Sequence, residues 1–334
     1  MVTLAAARAN HVQTDWSAYR PAVPAFLGTR TIKDQSLREL AAYFDWTPFF
    51  HSWELRGVWK YDEQRFQSSN PEAVTEAHRL HADAVILLDR IITEKRLQAR
   101  GVYGFFPANA VGDDIEVYTD ESRSVVQTTF HTLRQQPRKE SGRPNEALSD
   151  YIAPRPLTPS PSTPAVRDYV GGFVVGIHGA DEFAAEFEAA HDPYSSIMVK
   201  ALADRFAEAF AELLHHRARV EWGYERPNEL GINELIKETY RGIRPAPGYP
   251  SQPDHTEKDA LFALLNTESA TGVSLTESRA MHPGSAVSGL YLSHPESHYF
   301  MISDLQKDQI EDYAQRKGLS VEEMEKWLSP WLGY

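Results

Sequence analysis

The chain has 334 residues, a formal net charge of −13, 42% hydrophobic and 24% charged residues, and no cysteine. That length suits one large or two medium domains, and the charge argues against a nucleic-acid backbone as partner. Disulfides, thiolate metal sites and cysteine nucleophiles are excluded, and no apolar run approaches the roughly 20 residues a membrane helix needs. The first residues lack a signal-peptide core, so a cytoplasmic setting without a membrane partner is expected.

In chain order, residues 1–14 read as a linker or N-terminal arm and 15–334 as one domain. Trp16 to Leu27 is an extended arm with Pro21 and Pro24. Lys33 to Tyr43 predicts a helix that ends at Asp45-Trp46-Thr47-Pro48, where Pro48 stops it. Trp46, Phe49, Phe50 and Trp53 read as core, and Asp45 beside them suits an ammonium group or a turn. Pro71 to Arg96 carries Ala77, Leu80, Ala84, Leu87, Leu88 and Ile91 at helical spacing.

Val102 to Phe106 and Asp114 to Thr119 read as short strands around a Pro107-Ala-Asn turn and Gly112, while Ser122 to Leu133 fits strand or helix. Residues 137–167, with the run Pro154 to Pro164, read as a proline-rich loop or tether. Asp168 to Ile177 is β-like and glycine-studded. Its glycines lie inside the strand rather than at a turn opening a helix, so a dinucleotide fingerprint is not met. Two helices follow, Ala180 to Ala190 and Tyr194 to His215. The second has Ile197, Leu202, Phe206, Phe210 and Leu213 as its core stripe, with Glu208 and Glu212 read as solvated charges or cleft residues. After a helix at Thr256 to Leu265, Leu275 to Met281, Ser288 to Ser293 and Tyr299 to Ile302 predict a three-stranded meander. Helices over Leu305 to Arg316 and Val321 to Leu328 close the chain.

Most of the functional signal lies in Gly242-Ile-Arg-Pro-Ala-Pro-Gly-Tyr-Pro250. Three prolines in six residues rule out helix and central strand and leave a stiff, extended loop. Its backbone groups at Ala246 and Gly248 are expected to be free for a ligand. Arg244 offers a planar fork for a carboxylate or phosphate, and Tyr249 offers a ring face. Upstream, Asn233 to Tyr240 predicts a short helix with Glu238 on its last turn and Gly242 as its stop. His282, His294 and His298 do not share a helical face, because Pro295 makes that segment a turn, so no metal is expected. No G-x-S-x-G elbow occurs, and no residue is nominated as catalytic.

Arg244-x-Pro-x-Gly-Tyr-Pro followed by His255-Thr-Glu-Lys258 resembles the S-adenosylmethionine-binding domain of cobalamin-dependent methionine synthase. Asp45 to Phe50, Phe106 to Asn109, Gly112 to Ile115, Ile197 to Arg205 and the Tyr291 to Tyr299 region carry the same resemblance, in order, across almost the whole chain. It implies an α+β, C-shaped single domain, a twisted antiparallel sheet flanked by helices. It further implies that S-adenosylmethionine binds at Asp45, Glu238, Arg244, Ala246, Gly248, Tyr249, Tyr299 and Phe300. Phe300 departs from the family in lacking a second tyrosine hydroxyl, and Arg279 occupies a strand position often apolar in relatives. No D-x-H-x-x-G cobalamin motif occurs, so cobalamin would be held by a module absent from this chain. The expected partners are that module and a flavodoxin-like or diflavin reductase. The chain would be the C-terminal portion of a larger enzyme or a separate subunit. Two rivals stand beside this reading: a docking module that no longer binds the methyl donor, and a hydrolase using paired carboxylates.

Overall fold

The computed structural model describes residues 1–140, 142–155 and 166–334. Its first half runs α1 (Leu4–Ala9), β1 (Gly28–Gln35), α2 (Leu37–Ala41), α3 (Trp46–Ser52), the hairpin β2 (Val58–Lys60) and β3 (Arg65–Gln67), then α4 (Pro71–Thr93). The sheet strands β4 (Gln98–Val111), β5 (Asp114–Tyr118), β6 (Val126–His131) and β7 (Asp168–His178) follow, then α5 (Ala180–Ala189) and α6 (Pro193–Trp222). The last part holds α7 (Ile232–Ile236), α8 (Glu257–Leu265), α9 (Thr267–Thr271), β8 (Ser274–Leu275), β9 (Met281–His282) and β10 (Ala286–Tyr291), closing with α10 (Lys307–Lys317) and α11 (Val321–Trp327).

Six strands form one antiparallel sheet in the order β10-β7-β4-β5-β6, with β1 also paired to β4. Successive side chains of a strand face opposite ways, and here both faces are covered. Tyr103, Phe105, Phe173 and Val175 pack with residues of α4 and α6, whereas Val102, Phe106, Val170 and Val174 pack with residues of α8 and α10. The glycines of β7 allow this close packing: a Cβ on Gly172 would stand 2.8 Å from Leu261 Cδ1. An antiparallel sheet flanked by helices is thus as expected, and all six apolar residues assigned to α4 are buried.

Several local expectations are corrected. Pro48 sits in the first turn of α3 rather than ending a helix, a position where a missing N–H costs nothing. Pro107 lies inside the continuous β4 and makes no turn. On that edge β4 pairs with β1 through Phe105 and with β5 from Ala108, so proline falls where no partner strand requires its N–H. The segment read as helix from Lys33 begins as strand β1, and α2 keeps only Leu37–Ala41. Ser122 to Leu133 resolves to strand β6.

Among the described residues no three-stranded meander forms. β8 and β9 pair only with each other, β10 joins the main sheet beside β7, and Tyr299–Ile302 is not a strand. Ile197 is 55% exposed, while the other four stripe residues of α6 are buried. Where a linker is expected, α1 is docked: Arg8 meets Asp113 and Asp312, each at 2.7 Å. Within 137–167, residues 145–153 are packed around Arg134, which bonds Asp113 at 2.6 Å and Asp150 at 2.7 Å. The tether expectation for 156–165 lies outside the described residues.

Candidate active site and family membership

The proline-rich segment runs as a strap along the outer edge of β10, the last strand of the sheet. Ile243 and Leu292 exchange two backbone hydrogen bonds of 3.0 Å, and Leu290 N–H donates to Pro245 O at 2.8 Å. The strap thereby satisfies an edge that would otherwise be open. Gly289 makes room for it, since a Cβ there would lie 2.9 Å from Pro245 O. Beyond Pro245 the chain leaves the strand and encloses a cavity of about 350 Å³. The cavity floor is Phe173 of β7 with Val287 and Ser288 of β10, and Ala246, Tyr249, Tyr299 and Phe300 close the sides. Phe300 is pinned there, because Ser251 Oγ accepts its N–H at 3.1 Å and donates to its carbonyl at 2.6 Å.

A second cavity of about 330 Å³ adjoins the first and shares Glu208, Glu238 and Arg244 with it. Asp45, Arg205 and Glu212 line this further part. Asp45 caps α3, with Oδ1 accepting from Thr47 N–H at 2.9 Å and from Tyr61 OH at 3.1 Å. Together the two cavities present four carboxylates against two guanidiniums.

Arg244 is the hub. Its Nη1 lies 2.7 Å from Glu212 Oε2 and also donates to Tyr240 OH, and its Nη2 lies 3.0 Å from Glu238 Oε1. Its backbone N–H donates to Tyr299 OH at 3.1 Å. Burial works against the charge of Arg244, but Glu212, Tyr240, Tyr299 and Glu238 hold its pKa above the ordinary arginine value. Burial pushes the Glu212 carboxyl upward, opposed by Arg244 and Arg219. Glu212 Oε1 and Ser288 Oγ are buried without a partner among the described residues.

All the candidates named from the sequence except Gly248 are brought to these walls. Gly248 is set back from both cavities among the described residues; its φ is +96°, and a Cβ would fall 2.3 Å from the His255 ring. Its N–H is not free either, donating to Gln252 O at 2.7 Å, and Ala246 O accepts from Tyr249 N–H. What stays without a partner among the described residues is the Ala246 N–H and the Gly248 carbonyl. Glu238 lies just beyond α7 with φ +52°, not on its last turn.

Of the two readings open for Glu212, the structure takes the cleft one: it is 5% exposed and paired, not solvated. It belongs to a polar stripe on α6, Glu208, Glu212, His215 and Arg219, whose spacing of three and four residues places one face toward the site. That periodicity is present in the sequence, but an apolar stripe on the same helix hides it.

Residues 36–318 match the family model described as vitamin B12 dependent methionine synthase, activation domain. The chain belongs to that family. A solved structure of the MetH reactivation domain bound to AdoHcy is similar to it, with 50% identity and a TM-score of 0.91, covering 100% of this chain and 99% of that one. The fold implied by the sequence resemblance therefore stands, and this activation domain is part of a methyltransferase system. Among the described residues, no helix is long and apolar enough to cross a membrane.

Proposed function

We propose that this activation domain binds S-adenosylmethionine in the two joined cavities and presents its methyl group for reactivation of the enzyme's cobalamin. The observation that carries this is the wall itself: four carboxylates against two guanidiniums, beside an apolar chamber. S-adenosylmethionine has a sulfonium and an ammonium against one carboxylate, so an acid-rich wall suits it. The combined volume lies in the range of small-molecule sites. Unpartnered Ala246 N–H, Ser288 Oγ and Glu212 Oε1 give the ligand polar contacts that no described residue takes.

Asp45, Glu238 and Arg244 would hold the amino-acid end, and Tyr249, Tyr299 and Phe300 the flat base. Because Arg244 is already paired to Glu212 and Glu238, a ligand carboxylate would displace the more exposed Glu238, whose side chain is 44% exposed. Gly248 would serve by letting the strap turn over His255. No residue needs to move a proton: the domain contributes placement and charge. The cobalamin of a separate module would supply the nucleophile that accepts the sulfonium methyl group, with a flavodoxin-like reductase as the electron source, while Asp45, Glu238 and Arg244 would hold the methyl donor in place.

The test is titration calorimetry of this chain with S-adenosylmethionine, with Arg244→Ala alongside. Saturable binding lost in a folded variant supports the assignment. Absence of binding, both alone and with the cobalamin-binding module added, overturns it.

A further inference from the structure

We propose that His215 is the positioning residue of this site: its Nδ1 accepts from the Arg244 guanidinium, and its ring, stacked on Tyr291, fixes where that guanidinium stands against the cavity. This rests on the binding role proposed for Arg244.

Three observations converge. The first is contact: Arg244 Nη1 is 3.3 Å from His215 Nδ1. Of the groups on the fork, the Glu238 side chain is 44% exposed, whereas Glu212 is 7% exposed and His215 completely buried, so His215 joins Glu212 as a fixed contact on the inner side. The second is the stack. His215 and Tyr291 rings lie 4.9 Å apart at 4°, and Tyr291 and Phe173 rings 4.7 Å apart at 8°. Phe173 is cavity floor, so three near-parallel rings tie the guanidinium to the surface the ligand would rest on. The Tyr240 ring meets His215 edge-on at 4.9 Å and receives the guanidinium of Arg219 on its face at 3.7 Å.

The third is protonation. An arginine donates only, so Nδ1 must be bare and the ring proton sits on Nε2. Nε2 takes no partner among the described residues. A leucine would avoid that orphaned donor, so packing alone does not account for a histidine here. The groups acting on the ring are Arg219 and His216 on α6, Tyr240 ahead of the strap, Arg244 within it, and Tyr291 on β10. Burial, then Arg219 and Arg244, hold the His215 pKa well below the ordinary histidine value, so the acceptor persists in mild acid.

His215→Leu and His215→Asn test this by calorimetry with S-adenosylmethionine and by thermal melting. Asn keeps an acceptor at the Nδ1 position and loses the stack. We expect Leu to weaken binding at least about tenfold, the scale of a hydrogen bond to a charged group, without lowering the melting temperature. Asn should recover part of that loss, the share owed to the acceptor, and stay weaker than wild type because the stack is gone. Equal losses in both variants, or wild-type affinity in the Leu variant, overturn the proposal. Nitrogen NMR of the wild-type imidazole at pH 6 tests it without ligand. A neutral ring with bare Nδ1, perturbed in Arg244→Ala, supports the contact, and an imidazolium or an Nδ1–H tautomer refutes it. Failure of the wild type to bind, with this NMR signature intact, would count against the proposed function and not against the His215 contact.

Discussion

Arg244 Nη1 stands 2.7 Å from Glu212 Oε2, with only 14% and 7% of the two side chains exposed. The cation that lines both cavities is thus part of a buried pair, and removing one partner strands the other. Arg244→Ala should destabilise the domain by about 3–5 kcal/mol in urea unfolding, because it leaves buried Glu212 without its ion-pair partner. Arg244→Ala combined with Glu212→Gln should recover much of that stability while binding of S-adenosylmethionine stays lost. A double variant no more stable than Arg244→Ala would show that the pair is not the source of the cost.

Gly248 and Gly112 separate backbone strain from steric contact. Both have positive φ, +96° and +61°, but a Cβ at Gly248 meets the His255 ring at 2.3 Å while one at Gly112 meets nothing within 4 Å. Gly112→Ala should cost only the backbone preference, about 1–2 kcal/mol. Gly248→Ala should cost more and should weaken ligand binding as well. Equal costs in chemical denaturation would contradict the close packing of His255 under the strap.

Asp168 gives a pH dependence. Its carboxylate accepts from Ala153 N–H at 2.8 Å and Tyr169 N–H at 2.7 Å, yet burial pushes its pKa up to about 7. A carboxyl raised in the folded state binds a proton that the unfolded chain has already released. Its contribution to stability is therefore complete below about pH 4 and is lost as the pH rises through about 7. The stability difference between wild type and Asp168→Asn should accordingly shift in favour of the Asn variant between pH 5 and pH 8. A pH-independent difference in urea midpoint would rule this out.

Arg8 docks α1 through ion pairs to Asp113 and Asp312, and its side chain is 37% exposed. Solvent screening keeps such pairs near 1 kcal/mol, so Arg8→Ala should barely change global unfolding. Amide hydrogen exchange in α1 should nevertheless speed up markedly, because Leu4 and Ala7 are its only buried residues. Unchanged exchange would mean that those two side chains suffice to hold the helix.

Much of this domain was legible in local pattern. The long helix α4 follows from its apolar spacing, the glycine-rich β7 from its β-branched run, and the strap from its prolines, because each is dictated within a few residues. The motif around Arg244 likewise pointed, through resemblance, to the family.

Tertiary structure decided what depends on partners distant in the chain. Pro107 is tolerated in β4 only because β1 ends and β5 begins beside it. Glu212 is a buried ion-pair partner and not a solvated charge only because a strap some thirty residues further on lays Arg244 over it. His215 shows no function in the sequence, since the Tyr291 ring that stacks on it and the guanidinium it accepts from belong to other elements. Local propensity acts over a turn or two; charge pairing, ring stacking and edge coverage act through space, and only the folded chain brings those groups within reach.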